Sequence, residues 1–182
     1  MATFLTSDTH FGHKNIIDYC DRPYTTLDGH PDVWAMNRDL IARWNAVVGV
    51  DDEVLHLGDF AMGNKNDWAQ IRLSLNGSIV LIKGNHDNKT HLWMLPGDTM
   101  VKSLIRNNVF MAHIPPGESE YDKVRNRELV PEKVPPGTTV MLCGHVHNLW
   151  AEKQMGELRV VNVGVDVRGF RPIKPEEIGV IL

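Results

Sequence analysis

Apolar and polar positions along this chain fall into two periods. Five short, β-prone runs read as buried strands: Thr3-Phe4-Leu5-Thr6, Val54-Leu55-His56-Leu57, Ile79-Val80-Leu81-Ile82, Val109-Phe110-Met111-Ala112 and Val140-Met141-Leu142-Cys143. Between the first three runs the apolar spacing becomes helical. Residues 13–20 form a short helix candidate and residues 31–47 a stronger one. In the second, Val33, Met36, Asn37, Leu40, Ile41, Trp44 and Val47 share a face, and Pro31 can occupy the first turn. Gly49 and the acids Asp51 and Asp52 break that pattern. A third helix is expected over 66–75, with Trp68, Ile71 and Leu75 on one face and Asn76-Gly77 as its stop. A weak helical turn is expected at 89–95, closed by Pro96-Gly97.

From Met100 the pattern becomes strand-rich. Met100 to Ile105 and Val109 to Ala112 are separated by Arg106-Asn107-Asn108, a hairpin spacing. Further strands are expected at 138–143, 149–154, 157–163 and 178–182. The first half thus predicts βαβ units and the second more antiparallel sheet. An α/β fold accommodates both: a four-layer α/β/β/α sandwich of two mixed sheets packed face to face. Residues 114–137 are the least regular stretch, bounded by Pro115-Pro116-Gly117 and Pro135-Pro136-Gly137. They read as a lid or specificity loop, or as a surface excursion.

Composition narrows the class. The 182 residues fit one domain spanning 1–182, and the 42% hydrophobic and 23% charged fractions are those of an ordinary globular chain. A net charge of −4 gives no footprint for tight nucleic-acid binding, so no stable nucleic-acid complex is expected. The two cysteines, Cys20 and Cys143, suggest thiols rather than a disulfide framework. No apolar run is long enough to cross a bilayer, and no secretory leader is expected before the first strand. The expected location is the cytoplasm, or the host cytoplasm if the chain is phage-encoded.

The chemistry sits where the strand runs end. They lead into Asp8-Thr9-His10, Gly58-Asp59, Gly84-Asn85-His86-Asp87, His113 and Gly144-His145-Val146-His147. Ligands of open α/β sheets collect beyond the carboxyl ends of strands, so these blocks predict one shared site. Carboxylate, amide oxygen and imidazole without thiolate suit a pair of divalent cations of intermediate hardness. Gly58, Gly84 and Gly144 precede ligands at sharp turns, where positive φ or close backbone approach is needed.

In this order, the blocks resemble those of the calcineurin-like metallophosphoesterase superfamily, from Asp8 to about Gly164. The opening Thr6-Ser7-Asp8-Thr9-His10-Phe11-Gly12-His13-Lys14-Asn15-Ile16-Ile17 and the close Asn162-Val163-Gly164-Val165-Asp166 look like the short bacterial and phage phosphoesterases of that superfamily. The resemblance implies a binuclear metal centre at the strand ends. Asp8, His10 and His147 would hold the first ion; Asn85, His113 and His145 the second; Asp59 would bridge both. Such a pair, roughly 3.5–4 Å apart, shares one water and lowers its pKa, giving a bridging hydroxide that attacks phosphorus. His86 would face the substrate and protonate the leaving oxygen, with Asp87 orienting its imidazole. Many members place an Asp or Arg shortly after the Gly-Asp block. Here Asp59-Phe60-Ala61-Met62-Gly63-Asn64 supplies no Arg, so analogy to the protein-phosphatase branch is weak.

Other candidates carry plainer readings. His56, inside a strand, reads as a core histidine, and His30 and His91 as surface residues. His13 could line the pocket or cap the helix beside it, and is a candidate substrate contact. Arg168, Arg171 and Lys174 could reach a phosphate, Arg168 first, or form a solvated basic tail. Trp44 and Trp68 read as core; Trp93 and Trp150 are less constrained. The expected activity is that of a metal-dependent phosphodiesterase acting on small phosphodiesters, cyclic nucleotides among them and the 2′,3′-cyclic kind favoured. A phosphomonoesterase or nuclease of the same fold is the alternative, and a metal-bound interaction scaffold the alternative outside enzymes. The expected cofactors are two divalent ions, Mn²⁺ first, with Fe, Zn²⁺, Co²⁺ or Ni²⁺ also compatible.

Overall fold

The structure, a computed structural model, describes residues 1–88, 93–117, 129 and 134–182. The expected turn at 89–95 falls partly outside these residues, as does the expected loop at 114–137, and His91 lies wholly outside them. The first sheet contains β1 (Thr3–Thr6), β2 (Glu53–His56), β3 (Ser78–Ile82) and β4 (Thr99–Val101), all parallel and in that spatial order. An antiparallel bridge from Leu5 to Ile173 extends its β1 edge. The second sheet is mixed: β5 (Leu104–Arg106), β6 (Val109–Met111), β7 (Val140–Cys143), β9 (Leu158–Asn162) and β8 (Glu152–Met155), in that spatial order. Its β6–β7 and β7–β9 ladders are parallel; only the outer pairs are antiparallel.

Side-chain alternation explains the layering. On the first sheet Phe4, Val54, Ile79 and Leu81 point to one core, and Leu5, Leu55 and Ile82 to another. The first core is closed by α1 (Asn15–Tyr19), α2 (Val33–Val47) and α3 (Trp68–Leu73), through Ile16, Ile17, Met36, Leu40, Trp44, Trp68 and Ile71. The second core lies between the sheets, where Val109, Met111, Leu142 and Val161 meet the first sheet. Phe110, Met141, Cys143 and Val160 face away from it, under Val134, Trp150 and Leu158. Runs apolar on both faces are the signature of strands buried on both sides.

Local chemistry sets the element ends. Asp32 accepts a hydrogen bond from the Ala35 amide at 2.9 Å and caps α2, which leaves Pro31 outside the helix rather than in its first turn. The third helix opens as a 3₁₀ turn, Lys65–Asp67. Two strand expectations need correction. Met100–Ile105 is not one strand: the chain leaves the first sheet after Val101 and enters the second at Leu104. Residues 178–182 are not a strand either. A 3₁₀ turn, Pro175–Ile178, ends at Gly179 with φ +66, and Ile178 and Val180 then fill the inter-sheet core. The β5–β6 hairpin turns at Asn107 and Asn108, with φ of 45 and 63, the positive pair a two-residue type I′ turn requires.

One buried ion pair ties the first sheet to α3. Arg72 donates to both Asp98 oxygens, at 2.8 and 2.7 Å, and to the carbonyls of Leu75 and Gly77. Asp98 in turn accepts from the amides of Ile79 and Leu95. Arg72→Ala strands the Asp98 charge, and is expected to cost about 3–5 kcal/mol in urea denaturation. A loss below about 1 kcal/mol would give the pair no more weight than an exposed one.

Candidate metal centre

The carboxyl ends of both sheets converge. Ser7, just past β1, forms a parallel bridge with Gly164, just past β9, and its carbonyl accepts from Val165 at 3.0 Å. Around this seam lie all five ligand blocks. Asp8 and His10 follow β1, Asp59 follows β2 and Asn85 follows β3; His113 follows β6, and His145 and His147 follow β7.

The backbone is bent to present these side chains. Asp8, His10, Asp59, His145 and His147 all have positive φ, between 46 and 70. An L-residue held there costs about 1 kcal/mol or more, and such residues cluster at functional sites. Gly58, at φ +97, and Gly144 make room: a Cβ on Gly58 would meet His113 Nδ1 at 2.6 Å, and one on Gly144 would strike Ser7 and Asp8.

Asp59 sits at the middle. Its Oδ1 accepts the His86 amide at 2.9 Å. Its Oδ2 lies 3.5 Å from His10 Nε2 and 3.4 Å from His113 Nε2. One carboxylate oxygen is thus anchored to backbone, and the other stands between two imidazoles. On one side, Asp8, His10 and His147 bring donor atoms within 4.8 Å of one another. On the other, Asn85 Oδ1 lies 3.1 Å from His113 Nε2 and 3.2 Å from His145 Nδ1. The structure therefore brings together all seven residues named as ligand candidates.

These atoms fit a cation. His113 Nδ1 donates to the Leu57 carbonyl at 2.6 Å, which fixes the tautomer of the neutral ring. With a cation bound, Nε2 would turn its lone pair to the metal; without one, a second proton on Nε2 faces the oxygens of Asp59 and Asn85. Both ring nitrogens of His10 are buried with no hydrogen-bond partner. Converging lone pairs are repulsive unless protons or cations separate them. Oxygen and imidazole donors in this mixture suit first-row divalent ions.

Burial holds His10 well below the ordinary histidine range, so its imidazole is neutral at pH 7. Burial opposes charge on His113 too, but Asp59 pushes it up to about 9. His147 is likewise opposed by burial and pushed up to about 11 by its hydrogen bond to Asp166. Asp59 resists the upward push of burial and is held far below the usual carboxylate range by His113, His10 and His86.

His86 stands apart from the ligand set. It is 38% exposed, its ring is edge-on to His10 at 5.5 Å, and its Nε2 is 4.0 Å from Asp59 Oδ2. Asp87 does something different from what was expected. Its Oδ2 accepts the amides of Asp59 and Gly84 at 2.7 and 2.8 Å, and its Oδ1 that of Phe60 at 3.1 Å. Both oxygens are spent on backbone, so Asp87 braces two ligand loops and does not orient His86. Burial, then repulsion from Asp59, pushes it up to about 6.

Arg168 does not reach the cluster. Its guanidinium donates to the carbonyls of Asn162 and Ala151, at 2.8 and 3.1 Å. Arg171 pairs with Glu177, and the Lys174 ammonium lies over the Phe4 ring. His13 does face the cluster, 5.5 Å from His10 between ring centres, and burial lowers its pKa. His56 is a core residue: fully buried, stacked on Trp44, bonded to Thr9 at 3.0 Å and pushed down to about 3 by burial. His30 is exposed, and Trp44, Trp68 and Trp93 are buried.

Arg22 was not anticipated. Its buried guanidinium grips Asp166 at 2.7 and 3.0 Å and donates to the carbonyls of Asp8 and Thr9, at 2.8 and 3.1 Å. Asp166 in turn lies 3.2 Å from His147 Nδ1, so one arginine positions two ligand segments. Cys20-Asp21-Arg22-Pro23 reads as an ordinary polar turn, and no periodicity marks that arginine as buried.

The sequence profile of the calcineurin-like phosphoesterase superfamily domain matches residues 1–175. An uncharacterized protein of Methanocaldococcus jannaschii is 48% identical over 86 residues, which cover 46% of this chain and 46% of that one. The gene 66 protein of Mycobacterium phage L5 is 25% identical, over 97% of this chain and 91% of its own. Among solved structures, a protein of unknown function from Aquifex aeolicus superposes with a TM-score of 0.64 at 22% identity, covering 97% of this chain and 96% of its own, and shares the fold.

Protons on His113 and His147 have a measurable consequence. Both pKa values lie above the unfolded value of about 6.5. Their contribution to stability is therefore complete below that pH and is lost as pH rises through about 9 for His113 and about 11 for His147. Thermal unfolding of chelator-stripped protein is expected to show a midpoint that falls from pH 7 to pH 10, a fall that His113→Asn reduces. A midpoint flat across that range would contradict the charge assignment.

Proposed function

The chain belongs to the calcineurin-like phosphoesterase superfamily, and on that premise we propose that it is a metal-dependent phosphodiesterase of small substrates, 2′,3′-cyclic nucleotides foremost. The observation carrying this reading is Asp59 Oδ2, set between His10 Nε2 and His113 Nε2 with the other ligand candidates gathered on either side. Asp8, His10 and His147 would hold one ion, and Asn85, His113 and His145 the other, with Asp59 shared. Two divalent ions, Mn²⁺ first, supply when bound an acidified water and positive charge for the phosphoryl oxygens.

The protein's own groups do the rest. Asp87 and Arg22 hold the ligand loops in register, so little reorganisation is needed as charge develops. His86 is exposed beside the cluster without belonging to it, which suits a group that meets the substrate. Its imidazolium would donate a proton to the alkoxide oxygen, which departs as the alcohol and leaves His86 as neutral imidazole. The net charge of −4, with Arg168 and Arg171 engaged elsewhere, favours a small ester over a long polyanion.

A substrate panel tests the reaction class: p-nitrophenyl phosphate, bis-p-nitrophenyl phosphate and the 2′,3′- and 3′,5′-cyclic nucleotides, each with Mn²⁺. Turnover is expected to be highest on a diester. Preference for the monoester would make the protein a phosphomonoesterase, and metal uptake with no turnover a binding scaffold.

Asp59→Asn is expected to reduce activity more than any other single ligand change and to lower bound Mn²⁺ below two per chain by elemental analysis. Oδ1 is committed to the His86 amide, so the substitution puts an NH₂ group where both ions need an oxygen. A milder loss than that of Asp8→Asn at saturating metal would remove Asp59 as the bridge.

His86→Ala should keep its metals and lose turnover by ~100- to 10,000-fold, the usual range for a general acid. A p-nitrophenolate leaves without a proton and a ribose hydroxyl does not, so the defect should be larger on the cyclic nucleotide. Equal defects on both substrates would leave His86 a charge-stabilising role only, and loss of metal would make it a ligand.

A further inference from the structure

Four rings are linked by successive contacts beside the candidate centre. His86 and His13 each lie 5.5 Å from His10, centre to centre, and Tyr19 lies 6.3 Å from His13. Tyr19 ends α1, whose Ile16 and Ile17 are buried, yet its own side chain is 70% exposed. Its ring meets His13 at an interplanar angle of 73°. An edge contact of that kind leaves a face of the phenol uncovered.

His13 is half-buried, and its Nδ1 is fully enclosed without a hydrogen-bond partner. A buried polar atom left unpaired is unfavourable, so a small turn of the ring that lets Nδ1 meet a ligand atom would be stabilising. The rim is held from the other sheet as well. Asn148 Nδ2 donates to the Cys20 carbonyl at 3.1 Å, fixing the end of α1 against the loop that carries exposed Leu149.

We propose that His13 and Tyr19 form a nucleobase subsite, Tyr19 stacking on the base and His13 hydrogen-bonding the nucleoside, with the phosphate at the His10–His86 end. This rests on the phosphodiester reading above and deepens it by naming the organic part of the ester. An open aromatic face stacks on any base, and the one ring between Tyr19 and the ligand set leaves room for a sugar between base and phosphate. A mononucleotide is favoured over a strand because the chain has no surplus of positive charge with which to track a polyanion.

The test is calorimetric binding of 3′-AMP and of inorganic phosphate to the Mn²⁺-loaded full chain. Wild type is expected to bind 3′-AMP more tightly. Tyr19→Ala should lower that preference by about 5-fold or more, the span that base stacking covers, while Tyr19→Phe should retain it. His13→Ala should lower it too, with bound Mn²⁺ unchanged by elemental analysis. A preference unchanged in Tyr19→Ala overturns the subsite, and loss of metal in His13→Ala overturns the role of His13. Ester hydrolysis and phosphate binding in wild type without preference for 3′-AMP would remove the subsite alone. No hydrolysis and no binding of either probe would remove the phosphodiester reading, and the subsite with it.

Discussion

The organising constraint is the convergence of buried polar ligand atoms at the end of the sheets, which only protons or cations can hold together. Carboxylate, amide and imidazole donors point at one another around Asp59 Oδ2 at separations of 3.5 Å or less. That arrangement holds because the backbone beneath is over-determined: positive φ at five ligands, glycines where a Cβ would collide, and side chains spent on main-chain amides and carbonyls. Local strain of this kind persists only where the surrounding packing is strong. Two apolar cores, one on each face of the first sheet, supply that packing.

Two charged residues translate packing into ligand geometry. Asp87 joins the turns after β2 and β3, and Arg22 joins the turn after β1 to Asp166 and so to His147. Both are buried, and each engages several backbone groups at once. Their satisfied hydrogen bonds offset the cost of burying charge and leave the ligands little rotational freedom.

Much of this was legible in the sequence because strand ends and ligand types coincide. Each buried run announces its strand by β-prone composition, and each ligand block follows where a parallel sheet places its sites. What was not legible depends on chain direction and on partners far away. Met100–Ile105 has the composition of one strand, and nothing local signals that the chain changes sheets between Val101 and Leu104. Ile178 and Val180 are apolar because they fill a core, not because they pair. Asp87 was misread since adjacency to His86 in sequence says nothing of which way the carboxylate turns. Arg168 was misread for a similar reason: a basic residue near a site is as useful to a carbonyl as to a phosphate.

That crossing between sheets gives the centre a temporal order. The first sheet, with Asp8, His10, Asp59 and Asn85 at its ends, is complete in sequence by Val101. His113, His145 and His147 come from strands made afterwards. During synthesis, which proceeds at about 5–20 residues per second, four ligand candidates emerge several seconds before His147. The centre therefore cannot be complete until β7 has joined the second sheet.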